Sequence, residues 1–427
     1  MNKFKKYILL IDFTVGNLLS FQDKVMLSLE AASITELEES NLIETPRLRL
    51  LKSAVVYGAN GSGKSNLIQA MSVMRRIVLE SASMSSTSEL DVTPFLLDVQ
   101  ARKAPSFLEM TVQIEDKRYR YGFEVDNRIV YREWLYEATK RAEKPLFIRE
   151  KDGIEVSKSF AEGKDLEERT RDNGLFLAVA DQFNGPIAKK MMGWFQRFLV
   201  ISGLRHEDFE AMSYEMLADI PNSGELTDFL WQLDLGFGML AIEPEVPSLM
   251  APRRGTVKDN PYGRVTTFHR VFNHEGETED QEEFDLRTQE SAGTNKVFNL
   301  SGPIFQTLNK GGVLVVDELD SSLHPLLMQA IVRQFHSAPA NPKNAQLIFS
   351  THDTNLLQPG IFRRDQVYFV EKDAKGASDL YSLIEYKEEG KSIRKDRSFE
   401  KDYIAGRYGA IPIIGGDTIT QIHGKKN

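Results

Sequence analysis

Residues 54–66 read Ala54-Val55-Val56-Tyr57-Gly58-Ala59-Asn60-Gly61-Ser62-Gly63-Lys64-Ser65-Asn66, and this stretch decides the fold. The apolar run Ala54–Tyr57 suits a short strand buried on both faces. From Lys64 to about Ser81, Leu67, Ile68, Met71 and Met74 recur at helical spacing along one face. Between strand and helix, Gly58, Gly63, Lys64 and Ser65 fall at the spacing of the P-loop pattern. Glycines there let backbone N–H groups converge on phosphate oxygens with no Cβ in the way. The helix start adds the positive end of its dipole. Gly58, Asn60, Gly61, Ser62, Gly63 and Asn66 are thus candidates for the cradle, Lys64 for the β- and γ-phosphates, and Ser65 for Mg²⁺.

Working outward, Val313-Leu314-Val315-Val316-Asp317-Glu318 reads as a core strand that ends in two carboxylates. Asp317 at the strand's end suits water-mediated Mg²⁺ binding, and Glu318 suits polarising an attacking water. The next strand-like run ends in Phe349-Ser350-Thr351-His352-Asp353. That position makes His352 a candidate for a hydrogen bond to the γ-phosphate or the attacking water. His206, His269, His274, His324, His336 and His423 show no paired spacing for a metal. Glu290-Ser291-Ala292-Gly293-Thr294 precedes a helical pattern with Val297, Phe298, Leu300 and Ile304. Ser291 suits an N-cap, and Gly293 with Thr294 leaves N–H groups open at a helix start. Read in isolation, the same string is an ordinary capped helix.

The strands Val313–Val316 and Gln346–Phe349 flank a helical run from Pro325 to His336, a βαβ unit of a parallel sheet. Ile8–Val15 and Val25–Leu29 read as two strands, and Ala31–Arg49 as polar helix or loop. Phe107–Ile114, Arg118–Val125 and Ile129–Trp134 form a meander, with a further hairpin expected over 137–157. From about 160 to 240 the pattern is helical, including Ile187–Phe198 and Glu225–Leu233. Ala251–Gly263 reads as a mobile loop and Glu275–Glu283 as a solvated acidic hairpin tip. The expectation is an α/β chain with a central, mostly parallel sheet, an antiparallel β-subdomain and a helical insertion. Its units are an N-terminal lobe over 1–157, the insertion and mobile loop over 158–265, and a C-terminal lobe over 266–427.

The 427 residues are ample for two lobes, with 41% hydrophobic and 27% charged residues. The 53 basic and 62 acidic residues leave a net charge of −9, so no whole-molecule positive field draws the chain to nucleic acid. A local basic surface at Arg253, Arg254, Lys258 and Arg264, or at Lys391, Arg394, Lys395 and Arg397, keeps direct nucleic-acid contact open. There is no cysteine, which excludes disulfides and thiolate metal sites and is compatible with a cytoplasmic location. No run approaches a membrane span.

Together these segments resemble the ABC branch of P-loop ATPases. Asn60–Asn66 is similar to the P-loop of SMC and RecF-type chromosome and repair ATPases. Asp317-Glu318 is similar to the Walker B aspartate and catalytic glutamate, Leu319-Asp320 to the D-loop, and His352 to the switch histidine. Ser291, Gly293 and Thr294 stand in place of the signature motif but depart from the transporter form. Thr93–Asp98 stands where the Q-loop lies, without a glutamine. Phe13–Phe21, Arg118–Phe123, Glu290–Thr294 and Arg407–Pro412 resemble a bacterial AAA-type family with an ABC core, which includes the RloA and AbiL-type ATPases and is similar to the AriA ATPase of PARIS systems. The resemblance implies ATP and Mg²⁺ as ligands and a cytoplasmic homo-oligomer, at least a dimer, with ATP between protomers. It also implies control of a nuclease or toxin effector encoded nearby, in anti-phage defence, with no membrane partner. The alternative is a DNA-repair or chromosome-maintenance ATPase acting directly on nucleic acid.

Overall fold

The computed structural model describes residues 7–138, 142–233, 235–237, 239–243, 263–388, 391–392 and 397–411. Arg253, Arg254, Lys258, Arg394, Lys395, Pro412 and His423 lie outside the described residues, as does nearly all of the expected loop 251–263.

A six-stranded sheet forms the centre, in the order Phe198–Ser202, Val313–Asp317, Gln346–Ser350, Ser53–Tyr57, Val367–Lys372 and Ser378–Ser382. The first five strands run parallel, and only Ser378–Ser382 pairs antiparallel to its neighbour. Alternate residues of the central strands enter two different cores. Val313, Val315, Ile348, Ala54 and Val56 face the helix Lys64–Glu80 and the β-subdomain. Leu314, Val316, Leu347, Phe349, Val55 and Tyr57 face the helices Ala292–Lys310 and Pro325–His336. Burial on both faces explains why these strands read as continuous apolar runs rather than alternating ones.

The second sheet has seven strands, all antiparallel, ordered Gly153–Val156, Glu143–Glu150, Val130–Ala138, Lys117–Val125, Ser106–Ile114, Ile8–Gly16 and Val25–Ser28. Phe13 lies opposite Met110, and Met110 opposite Tyr121, which fixes a buried face against Lys64–Glu80.

The segment read as helical over 160–240 is mixed. Phe198–Ser202 is a strand and forms the edge of the central sheet beside Val313–Asp317. A run of five residues carrying Val200 and Ile201 directly follows the helix Pro186–Phe195, so apolar periodicity alone merges the two. Met239–Glu243, Arg264–Phe272 and Thr278–Asp285 form a three-stranded antiparallel ribbon. One of these strands crosses the boundary expected at 265/266. Ala31–Arg49 holds a four-residue helix, Glu38–Asn41, and the hairpin Leu42–Glu44 with Arg49–Leu51.

Candidate phosphate-binding site

The parallel strands Ser53–Tyr57, Val313–Asp317 and Gln346–Ser350 all deliver their C-terminal ends to one edge of the sheet. There a cleft of about 550 Å³ is lined by Asn60, Gly61, Ser62, Gly63, Lys64, Ser65, Asn66, Glu318, His352 and Lys372. The sequence thus anticipated nine of these ten residues from three separate segments. The turn needs its glycines. Gly61 and Gly63 have φ of 74° and 119°, in the region that favours glycine. A Cβ on Gly58 would lie 2.4 Å from the Val370 carbonyl oxygen and 2.5 Å from Ser62 Oγ.

Side chains from distant strands brace the turn. Ser378 Oγ lies 2.6 Å from the Ser62 carbonyl oxygen and 2.8 Å from Ser20 Oγ, and the Ser378 N–H donates to the Ser20 carbonyl at 2.7 Å. Lys64 Nζ donates to the Gly58 carbonyl at 2.8 Å and to the Ala59 carbonyl at 3.2 Å. Burial lowers the Lys64 pKa, and Asp317, Glu318 and Asp320 act in the opposite direction. Those carboxylates therefore stand within electrostatic reach of the loop. Ser62 Oγ is buried without a hydrogen-bond partner, a polar atom suited to an oxygen-rich ligand.

Ser350 organises the acidic pair. Its hydroxyl donates to Asp317 Oδ1 at 2.6 Å and accepts from the Glu318 N–H at 2.8 Å. Glu318 then turns into the left-handed region, φ 51°, which carries its side chain away from the strand direction and into the cleft. The His352 N–H donates to Asp320 Oδ2 at 3.1 Å. Burial and the Lys64 charge lower the His352 pKa against the pull of Asp320, Glu318 and Asp317, so its imidazole is neutral at pH 7.

Ser291, Gly293 and Thr294 do not line this cleft. Ser291 is the N-cap of Ala292–Lys310, accepting from the Thr294 N–H at 3.1 Å, and Ser291 and Ala292 are exposed.

Sequence reasoning missed four further parts. Lys372 lines the cleft from the end of Val367–Lys372. Ser350 was quoted without a role. Gly203 donates its N–H to the Asp317 carbonyl at 2.7 Å, and a Cβ there would come within 2.3 Å of the Glu318 carbonyl oxygen. Lys296 is fully buried, and its ammonium donates to the Ser321 carbonyl at 2.7 Å, to Ser321 Oγ at 2.5 Å and to the Glu318 carbonyl at 3.3 Å. Its signal was visible: a lysine adjoining Val297 and Phe298 and four residues before Leu300, on a face that has to be buried. Among the described residues no three His, Cys, Asp or Glu side chains cluster as a metal site. No described helix is long and apolar enough to cross a membrane.

A glycine turn at the head of a helix, two carboxylates on the next-but-one parallel strand and a mostly parallel sheet define a P-loop nucleotide-binding chain of the AAA/ABC kind. Residues 53–358 match the family model described as "AAA domain, putative AbiEii toxin, Type IV TA system", and the chain belongs to that family. Among solved structures it is similar to an SMC head domain from Thermotoga maritima, at 13% identity and a TM-score of 0.38, covering 87% of this chain and 98% of that one. It is also similar to an Smc head domain bound to the C-terminal domain of ScpA, derived from Pyrococcus furiosus, at 11% identity and a TM-score of 0.35, covering 94% and 99%. At these scores the sheet order and the family match carry the assignment. No curated protein matches.

Proposed function

We propose that this chain hydrolyses ATP at sites shared between two copies and uses that cycle to hold and release an effector protein in anti-phage defence. The observation that carries the reading is the division of its parts: a braced phosphate cradle with Glu318 in one cleft and Asp317 adjoining it at the strand end, and the capped helix start at Ser291 exposed elsewhere. The family description, with its toxin and toxin–antitoxin terms, supports the effector role.

The cleft's chemistry fits a triphosphate with Mg²⁺. The N–H groups of Asn60–Ser65 and the Lys64 ammonium would meet the phosphates. Ser65 and Asp317 would hold the metal, since the Asp317 carboxylate commits Oδ1 to Ser350 and makes no second hydrogen bond among the described residues. Bound Mg²⁺ would supply charge neutralisation between the β- and γ-phosphates. Glu318 would orient and deprotonate the attacking water, and neutral His352 would donate to or accept from the γ-phosphate region according to its tautomer. Lys372 adds a second cation at the rim. The Ser291–Thr294 segment of a second copy, with its open N–H groups and dipole end, would close over the γ-phosphate and exclude water.

Mixing two inactive proteins tests the shared site. Ser291→Arg and Lys64→Ala should each lack turnover alone and regain part of it when mixed, because one composite site in the mixed dimer is intact. No recovery at any mixing ratio would sink the shared-site reading. Loss of ATP binding only in the Lys64→Ala protein would still locate the cradle.

A further inference from the structure

A second hollow of about 440 Å³ lies at the opposite edge of the central sheet, where its strands begin. Arg197 precedes Phe198–Ser202, Gly311 precedes Val313–Asp317, and Lys343 precedes Gln346–Ser350. The close approach is built in: a Cβ on Gly312 would lie 2.4 Å from the Arg197 carbonyl oxygen. The hollow's walls carry Lys189, Lys190, Arg197, Lys310 and Lys343 against one carboxylate, Glu115. Glu115 pairs with Lys190 at 2.8 Å, while Lys189, Lys310 and Lys343 form no ion pair among the described residues. Ile8 is half-buried at the hollow's wall, while Ile114 and Trp194 are buried beneath it. Concentrated positive charge is out of character for a chain of net charge −9.

The complementary surface is on the same chain. The ribbon's distal hairpin carries Glu275, Glu277, Glu279, Asp280, Glu282 and Glu283, all exposed and none in an ion pair among the described residues. Beside them Phe272 is 58% exposed. No ribbon residue lines the hollow of its own chain, so a ribbon that fills it comes from another copy. We propose that the acidic ribbon of one copy seats in the basic hollow of another, with Phe272 against Ile8 and the carboxylates among the lysines.

A nucleic-acid backbone would satisfy the cations but would leave the ribbon's exposed carboxylates without a counter-charge. A second copy's ribbon in the hollow satisfies both. The contact joins unlike surfaces, so it either extends head to tail or is reciprocated in a two-fold pair. It uses neither the nucleotide cleft nor Ser291–Thr294, so it is separate from the nucleotide-closed dimer and goes beyond it. Its charge component weakens steeply as salt shortens the Debye length.

The full chain, without nucleotide, is followed by sedimentation across protein concentration at low and high salt. Wild type should self-associate at low salt and dissociate at high salt. Lys189→Glu with Lys310→Glu, and separately Glu279→Lys with Asp280→Lys, should each weaken association roughly tenfold or more. Mixing the two reversed proteins should restore it, which a misfolded variant cannot do. Phe272→Ser should weaken it without altering the salt dependence. A wild type that stays monomeric at low salt overturns the proposal. So does a ribbon reversal without effect, or recovery absent from the mixture. Binding of duplex DNA to the hollow, lost on Lys189→Glu with Lys310→Glu but kept after ribbon reversal, assigns the surface to nucleic acid instead and likewise overturns it. The ATP-dependent dimer is read separately in a Glu318→Gln background, where both reversals should leave closure intact; loss of closure in the unreversed protein would count against the shared nucleotide site alone.

Discussion

Gly58–Asn66 and Ser291–Thr294 are both short polar strings at helix N-termini, yet the fold treats them differently. The first is enclosed from behind, where Ser20 and Ser378 hold it and Lys64 folds back onto its carbonyls, with Asn60, Gly61 and Ser65 exposed at its front. The second is exposed at Ser291 and Ala292 and is held by its own N-cap and by the Asn295 side-chain amide, which donates to the Ser291 carbonyl at 3.1 Å. Distant segments hold the first with its front open, and the second turns its first two residues outward. The exposed string is nonetheless tied to the Glu318 loop within its own chain. Two residues past Thr294, Lys296 reaches the carbonyls of Glu318 and Ser321, and a Cβ on Gly293 would lie 2.9 Å from the Ser322 carbonyl oxygen. The helix Ala292–Lys310 and the loop after Asp317 are packed together.

The largest expected effect separates binding from chemistry on the enclosed side. Glu318→Gln should lower kcat by about 10²–10⁴-fold while ATP binding persists, because only the proposed general base is lost. Single-turnover kinetics with a fluorescent nucleotide checks both quantities. Wild-type turnover in this variant would remove Glu318 from its assigned role.

Next comes the tie between the two regions. Lys296→Met keeps the apolar stem and deletes the ammonium, leaving the Ser321 and Glu318 carbonyls without their buried donor. We expect kcat to fall roughly tenfold or more, with the dissociation constant for nucleotide little changed. An equal loss in both would mean that Lys296 supports the whole fold rather than the catalytic loop. Gly203→Ala addresses the same loop from the other side, because its methyl would meet the Glu318 carbonyl at 2.3 Å. Either the loop shifts or the strand end does, at a cost of about 1–3 kcal/mol. The variant should melt earlier and turn over more slowly, which thermal unfolding and steady-state rates report.

Much of this was legible in the sequence, for identifiable reasons. The cradle, the acidic pair and His352 each sit at the end of a short apolar run, so the strand pattern located them and the residue types gave them roles. The antiparallel meander was legible because its strands are bounded by turns such as Asp126-Asn127. Phe198–Ser202 was not, because four apolar residues and a serine beside a helix carry no period of their own. The burial of Lys296 was legible, but its partners were not, nor were those of Gly203 and Ser350. Their roles come from packing between segments far apart in sequence, such as Lys296 against Ser321 or Gly203 against Asp317, and no local spacing encodes that.

The smallest effect concerns what holds the enclosed string's strand in place. His336, at the end of Pro325–His336, lies with Nε2 2.8 Å from Ser53 Oγ, and Lys52 Nζ donates to the His336 carbonyl at 2.9 Å. Burial, with the Lys52 charge adding to it, pushes the His336 pKa down to about 3 from 6.5. The folded pKa lies below the unfolded one. Between these values the unfolded chain binds a proton that the folded chain refuses, so stability falls as pH drops. The contribution is fully present above pH 6.5 and is lost progressively toward pH 3. By pH 5 the loss amounts to roughly 2 kcal/mol. His336→Gln keeps a polar partner for Ser53 but cannot titrate, so its melting temperature should decline less between pH 7 and pH 5 than that of wild type. Parallel declines would assign acid sensitivity to other groups. If nucleotide binding in wild type weakens along with stability over that range, while the Gln variant resists both, the strand Ser53–Tyr57 transmits the loss to the cradle it carries. The exposed signature segment, anchored on a different helix, would then be unaffected.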